Sequence, residues 1–523
     1  MELSSFLQDL HLSSSSSSEK PLPSSSLPPI TEVLPRLQKK LIGASSDAEA
    51  ISLIGYVECF LQTADPDWLF SPVSTNQGDG WAELKAEYVS VVDALIGCAA
   101  LPLCEDDCGS LPTVAYQSIP SRAISVCSAL TVLLGMLGNG GGQTHLLLTV
   151  APPICVFAVT HFQDQAWTNS ASKAAAQRLQ EALLRAGGWR GSAHLLIGDG
   201  SRESGQEGDN GGVLRGVFDV LLPQMTKASW HRCEAVKSVF AWTLLQVTRP
   251  SLYPHLPRVL PPSLLLNDHY RPENCILGVR CLHHIVLNTA AADLRQFNRS
   301  EVLYQALFRH LYTTEAAVIQ PVLSCLLDLL LVFEKPASSL APSSSRRKPG
   351  RHDDVLRLVL THMEAEHKVA LRRAYASALP PYIDRMGVAV CRHLRRLERV
   401  ALGYLEIRDP PEETSRLKIL EALQKAISAA WPRMARRVDV LLRCLLKLLL
   451  DVSSDSGLGD PVKRELMDQT VVCLKLLDGC CRGYLQPLLR QVDGSCCSPE
   501  VLRCLATAEA DRRATCNVST SRP

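Results

Sequence analysis

Apolar side chains recur every three or four residues along most of this chain, and that spacing restricts its fold more than any other feature. Between residues 315 and 334, Val318, Val322, Leu326, Leu329 and Phe333 step by four, four, three and four, which puts them on one face of a helix. Residues 389–405 divide in the same way. Val390, Leu394, Leu397, Ala401 and Leu405 gather on one side, with Arg392, Arg395, Arg396 and Arg399 almost opposite. In 433–449, Val438, Leu442, Leu445, Leu446 and Leu449 face away from Arg433, Arg436, Arg437 and Lys447. Runs of alternating residues joined by hairpin turns are missing, as is any strand–helix alternation. Aromatic residues make up only 5% of the chain, which suits helices packed on helices. The periodicity predicts an all-α protein.

The predicted helices cover about 231–247, 252–266, 273–288, 299–311, 315–334, 353–361, 365–379, 389–405, 412–430, 433–450 and 461–481. Taken in pairs they repeat roughly every 40 residues, the period of HEAT and armadillo arrays. Pro250, Pro254, Pro261-Pro262, Pro272, Pro380-Pro381, Pro410-Pro411 and Pro432 are expected to break helices where hairpins turn. Gly278-Val279-Arg280-Cys281-Leu282 and Leu371-Arg372-Arg373-Ala374-Tyr375-Ala376 look like second helices of HEAT units. The fold expected is an irregular α-solenoid of HEAT/armadillo-like helical hairpins, each burying its apolar face against its neighbours.

Composition sets the segment limits. Residues 1–30 hold 11 serines and four prolines and are expected to form a disordered tail. An N-terminal helical region follows at 31–186, then a flexible glycine-rich loop at 187–212. Residues 213–334 form a helical core and 335–352 a basic linker, with C-terminal helical repeats at 353–508 and a tail at 509–523. Charge is uneven along this plan. The chain as a whole carries +1, but residues 1–120 have 5 Lys/Arg against 16 Asp/Glu, while 343–450 have 22 against 12. Docking surfaces of opposite sign are expected, rather than polyanion binding by bulk charge.

The 19 cysteines are scattered, and many (Cys59, Cys127, Cys281, Cys325, Cys444, Cys473) sit inside apolar helical runs. Met1-Glu2-Leu3 does not begin a basic segment followed by a long apolar one, so no secretory signal is expected. Free thiols in a reducing compartment follow, the cytoplasm with the nucleus as a second location. No unbroken apolar run reaches the roughly 18 residues a membrane span needs. Leu146–Val159 contains Pro152-Pro153, and Leu441–Val452 is interrupted by Arg443 and Lys447.

The residues that could carry chemistry do not assemble a site. Gly138-Asn139-Gly140-Gly141-Gly142 follows a helical run and lacks the lysine of a phosphate loop. Gly198–Gly212 lacks the acidic spacing of a calcium loop. Cys104 and Cys108 are four apart, and the pairs Cys480-Cys481 and Cys496-Cys497 cannot chelate one ion together. His362 and His367 are five apart, where a helical zinc pair needs four, so they read as a solvated helix face. No cofactor, metal or catalytic residue is expected. The arginines at 392, 395, 396, 399, 433, 436 and 437 remain as an interaction surface with three readings: a solvated outer face, a contact for an acidic partner, or a contact for nucleic acid. Aromatic residues do not interleave with them, which argues against a single-strand stacking platform.

One block is more specific than a pattern. Arg271-Pro272-Glu273-Asn274 leads through Leu277-Gly278-Val279-Arg280-Cys281-Leu282-His283-His284-Ile285-Val286. It continues into Ala291-Ala292-Asp293-Leu294-Arg295-Gln296-Phe297-Asn298-Arg299, Val302-Leu303-Tyr304-Gln305-Ala306-Leu307, Leu311-Tyr312-Thr313 and Leu326-Leu327-Asp328-Leu329-Leu330. This block resembles the core of the Tel-two-interacting protein two family, the smallest subunit of the Triple-T complex. The resemblance is densest over 265–335 and looser from 215 to 490. It implies a non-catalytic helical scaffold that binds Tel-two-interacting protein one directly and Tel-two within the same complex. It further implies a cochaperone role for phosphatidylinositol-3-kinase-related kinases (mTOR, ATM, ATR, DNA-PK) with the ninety-kDa heat-shock chaperone, hence in DNA-damage and growth signalling. The alternative reading is a HEAT-type nuclear transport or nucleic-acid-associated protein acting through the arginines.

Overall fold

A computed structural model describes residues 28–72, 80–104, 111–138, 143–198, 211–334 and 349–510. The serine-rich front, the centre of the glycine-rich loop, most of the basic linker, the tail beyond Ala510 and the stretch 139–142 lie outside the described residues. Among the described residues every regular element is helical. The chain divides into two compact units at Leu265/Leu266.

The first unit contains α1 (Ile30–Ile42), α2 (Asp47–Thr63), α3 (Gly80–Cys98), α4 (Ile119–Gly138), α5 (Thr144–Phe162), α6 (Ser170–Ala186), α7 (Leu214–Leu221) and α8 (Glu234–Gln246). Helix α9 (Leu256–Asn267) spans the division. In this unit α1 to α5 each pack on the next helix but one. One row runs α1, α3, α5, α7 and the other α2, α4, α6, with α5 and α6 pressed closely together. Side-chain caps start two of the helices. The Ser46 side chain accepts from the Glu49 N–H, and Asn169 and Ser172 cap each other reciprocally.

The second unit repeats the scheme with α10 (Pro272–Leu287), α11 (Arg299–Arg309), α12 (Ala316–Phe333), α13 (Arg351–Ala365), α14 (Val369–Met386), α15 (Leu394–Glu406), α16 (Thr414–Met434), α17 (Val438–Ser454), α18 (Asp460–Cys480) and α19 (Pro499–Ala510). One row is α10, α12, α14, α16, α18, and the other contains α13, α15 and α17. The pairs α11–α12, α13–α14, α15–α16 and α17–α18 are the hairpins. Each unit is an irregular α-solenoid segment, and the resemblance block occupies α10 through α12.

Several expectations from sequence need correction. Pro261-Pro262, Pro380-Pro381 and Pro432 lie inside helices. An internal proline costs about 3 kcal/mol in an exposed helix. In α14, however, burial of Leu379, Tyr382 and Ile383 around the prolines offsets that cost. Residues 389–405 are not one helix: Gly387–Arg392 form a tighter 3-10 stretch and α15 starts at Leu394. Residues 433–449 are not one helix either. Arg433 lies in the last turn of α16, which ends at Met434, a turn holds Arg436 and Arg437, and α17 begins at Val438. His362 is no solvated face, since it stacks on Tyr375 (5.9 Å between ring centres), and α13 ends before His367.

Thr113–Gly138, Thr144–Phe162 and Ala316–Phe333 are long and apolar enough to cross a membrane by length and composition. Counting unbroken runs passed over the last of these because Gln320, Ser324 and Asp328 interrupt it, although its mean hydropathy is 2.2. In the fold α12 uses that apolarity against α10 and α14.

Candidate interaction surface

The seven arginines chosen from sequence lie in the α13–α15–α17 region, but not as a continuous stripe. Arg392 pairs with Asp353 at 2.9 Å, and His393 Nε2 meets the other carboxylate oxygen of Asp353 at 2.9 Å. Burial alone would raise the Asp353 carboxyl. The Gly350 N–H, His393 and Arg392 overrule that and hold it below the ordinary value. Arg396 and Arg399 both bind Glu364 at 3.0 Å, and Arg396 also donates to Thr361 at 2.9 Å. That double grip, the Arg396 hydrogen bond first, lowers the Glu364 pKa. Arg437 closes on Glu398. These four arginines tie neighbouring outer helices together. Arg395, Arg433 and Arg436 are exposed and make no ion pair among the described residues.

Beside the last two stands a group the sequence reading passed over. Trp431 is 61% exposed at the end of α16, two residues from Arg433. The signal was present in Trp431-Pro432-Arg433, a large aromatic next to a proline and a cation, but helical periodicity gave it no weight.

A second polar group is internal. Arg372 stacks on the Tyr404 ring at 3.7 Å, and Arg373 donates to the Asp409 carboxylate at 3.1 Å and to the Asp409 carbonyl at 2.7 Å. The Ser415 N–H also donates to Asp409, at 2.9 Å, while Arg416 Nε lies 3.6 Å from the Glu413 carboxylate. Asp409, Glu413 and Arg416 are all buried. Burial, the largest influence, raises the Glu413 pKa. The Arg372-Arg373 pair read as a HEAT signature therefore locks the α15–α16 connection to α14, a structural role.

In the resemblance block, His283 Nε2 meets Asp328 at 2.8 Å between α10 and α12. Phe297 and Asn298 adopt left-handed backbone at φ 53° and 59°, with the Phe297 ring 78% exposed. No set of three or more His, Cys, Asp or Glu side chains stands close enough to hold a metal ion among the described residues.

The chain matches no family model. Curated relatives align with most of it. Human TELO2-interacting protein 2 is 47% identical over 357 residues, 68% of this chain and 68% of that protein. The rat protein of the same name is 44% identical over 410 residues, 76% and 78% respectively. The chain belongs to the TELO2-interacting protein 2 family. That is the family whose core the block from Arg271 to Leu330, in α10 to α12, resembles. Among solved structures Kap121p is similar over 89% of this chain and 44% of its own, at 13% identity and a TM-score of 0.42, a likeness too distant to argue from.

Proposed function

We propose that this chain is a non-enzymatic scaffold subunit of the Triple-T cochaperone complex. The observation that supports the reading is the 47% identity over 68% of the chain to a protein whose name declares an interaction with TELO2. A stack of hairpins offers long side faces, and a polar catalytic cleft is not needed for such work. The direct partner is Tel-two-interacting protein one, and Tel-two joins the same assembly. The clients are phosphatidylinositol-3-kinase-related kinases, met together with the ninety-kDa heat-shock chaperone in the cytoplasm and nucleus.

The action is mass action. A subunit that binds only folded partners stabilises them by about 2.7 kcal/mol at a hundredfold excess over Kd. An obligate contact of this kind buries more than about 2,000 Å². The test is acute depletion of the chain followed by quantification of its copurifying proteins. Levels of the partner subunits and of mTOR, ATM, ATR and DNA-PK are expected to fall severalfold together. Unchanged levels, or failure of the intact chain to copurify TELO2, would overturn the reading.

A further inference from the structure

The corner between α16 and α17 is built to present charge and an aromatic ring outward. Pro432 lacks the N–H that would bond the Ser428 carbonyl, and the helix departs from helical geometry at Ala430 (φ −115°, ψ 20°). Ala430 and Met434 are almost wholly buried on either side of the break, which anchors it to the core. The Arg437 N–H donates to the Met434 carbonyl at 2.8 Å and the Leu441 N–H to the Arg437 carbonyl at 3.1 Å, so the turn is ordered. Trp431, Arg433 and Arg436 project from this fixed frame.

Two of the acids nearby are already engaged. Arg437 holds Glu398 of α15, and Glu364 is shared by Arg396 and Arg399. Arg395 lies one turn before Glu398 on α15, so it stands on the side of that helix that meets the corner. From Trp431 to Arg443 there are four arginines and a single acid, Asp439. An exposed tryptophan among unpaired arginines has the composition of a binding hot spot. The indole buries area at little entropic cost, and the guanidinium forks fit carboxylates.

Building on the scaffold reading above, we infer that Trp431, Arg433, Arg436 and Arg395 form a docking site for an acidic segment of a partner protein that carries one apolar anchor residue. Carboxylates of that segment meet the guanidinium groups and the anchor packs on the indole. Nucleic acid fits less well. A single indole makes no platform on which successive bases could stack.

The test uses the full chain and a fluorescent 15-residue Glu/Asp-rich peptide with one central Leu, read by anisotropy. Salt-sensitive binding is expected. Arg433→Glu with Arg436→Glu, and separately Trp431→Ala, should each weaken it by roughly tenfold or more. Arg399→Glu, the same charge change at a paired arginine, should leave it within about twofold. Equal losses at Arg399, no loss at the corner, or tighter binding of single-stranded DNA of matching charge would each overturn the inference. Copurification of TELO2 by the same variants separates the two ideas. If the intact chain recovers no TELO2, the scaffold reading fails. If the peptide is bound no better by the intact chain than by the corner variants, only the docking site fails.

Discussion

His161 shows how a single buried group sets a pH response. It is 1% exposed on α5, its ring centre lies 4.6 Å from that of Phe157, and its Nδ1 has no hydrogen-bond partner among the described residues. Burial drives its pKa down to about 4. The folded state therefore keeps it neutral while the unfolded chain begins to take up a proton near pH 6.5. Its contribution is complete above pH 6.5 and is lost as pH falls towards 4, to the extent of about 3 kcal/mol. His161→Phe should flatten that decline, and urea midpoints between pH 7 and 4 read it directly. Thiols respond in the opposite direction. Burial raises Cys127, Cys155, Cys281 and Cys473 to about 12, so they stay protonated and unreactive at neutral pH. A thiol reagent should label these four only after denaturation, while the half-exposed Cys59 and Cys391 react in the native protein. Equal rates before and after denaturation would contradict the packing.

At the scale of elements, Gly278 decides how closely α10 meets the end of α9. A β-carbon there would stand 2.1 Å from the Asn267 backbone nitrogen and 2.5 Å from its α-carbon, and backbone cannot yield as a flexible side chain does. Gly278→Ala should cost about 2–3 kcal/mol, visible as a lower urea midpoint. Element type was legible in the sequence wherever apolar spacing was long and regular. The expected 273–288 and 315–334 became Pro272–Leu287 and Ala316–Phe333 within one residue at each end. The failures share one cause, the use of local rules where tertiary contacts decide. Proline lowers helix propensity by a known amount, but Leu379, Tyr382 and Ile383 add burial that no local rule counts. A helical wheel drawn through 389–405 assumes one axis, and the 3-10 stretch ending at Arg392 supplies a second. That is why Arg392 pairs with Asp353 while Arg396 and Arg399 go to Glu364. The free arginines and the paired ones look alike in sequence because pairing depends on acids 30 to 40 residues away.

At the scale of the whole molecule, the family was legible before the fold, through the block that became α10 to α12. The internal network of Arg372, Arg373, Asp409 and Glu413 was not, because its members are joined only once α14, α15 and α16 are packed. Stacking of most helices on the next but one has a consequence for how such a chain tolerates shortening. Trimming a hairpin from the end of a stack uncovers one face and leaves every other meeting intact. Excising a hairpin from the middle forces two surfaces that were shaped for different neighbours to find a new register against each other, so internal deletions should be far less forgiving than terminal ones of equal length.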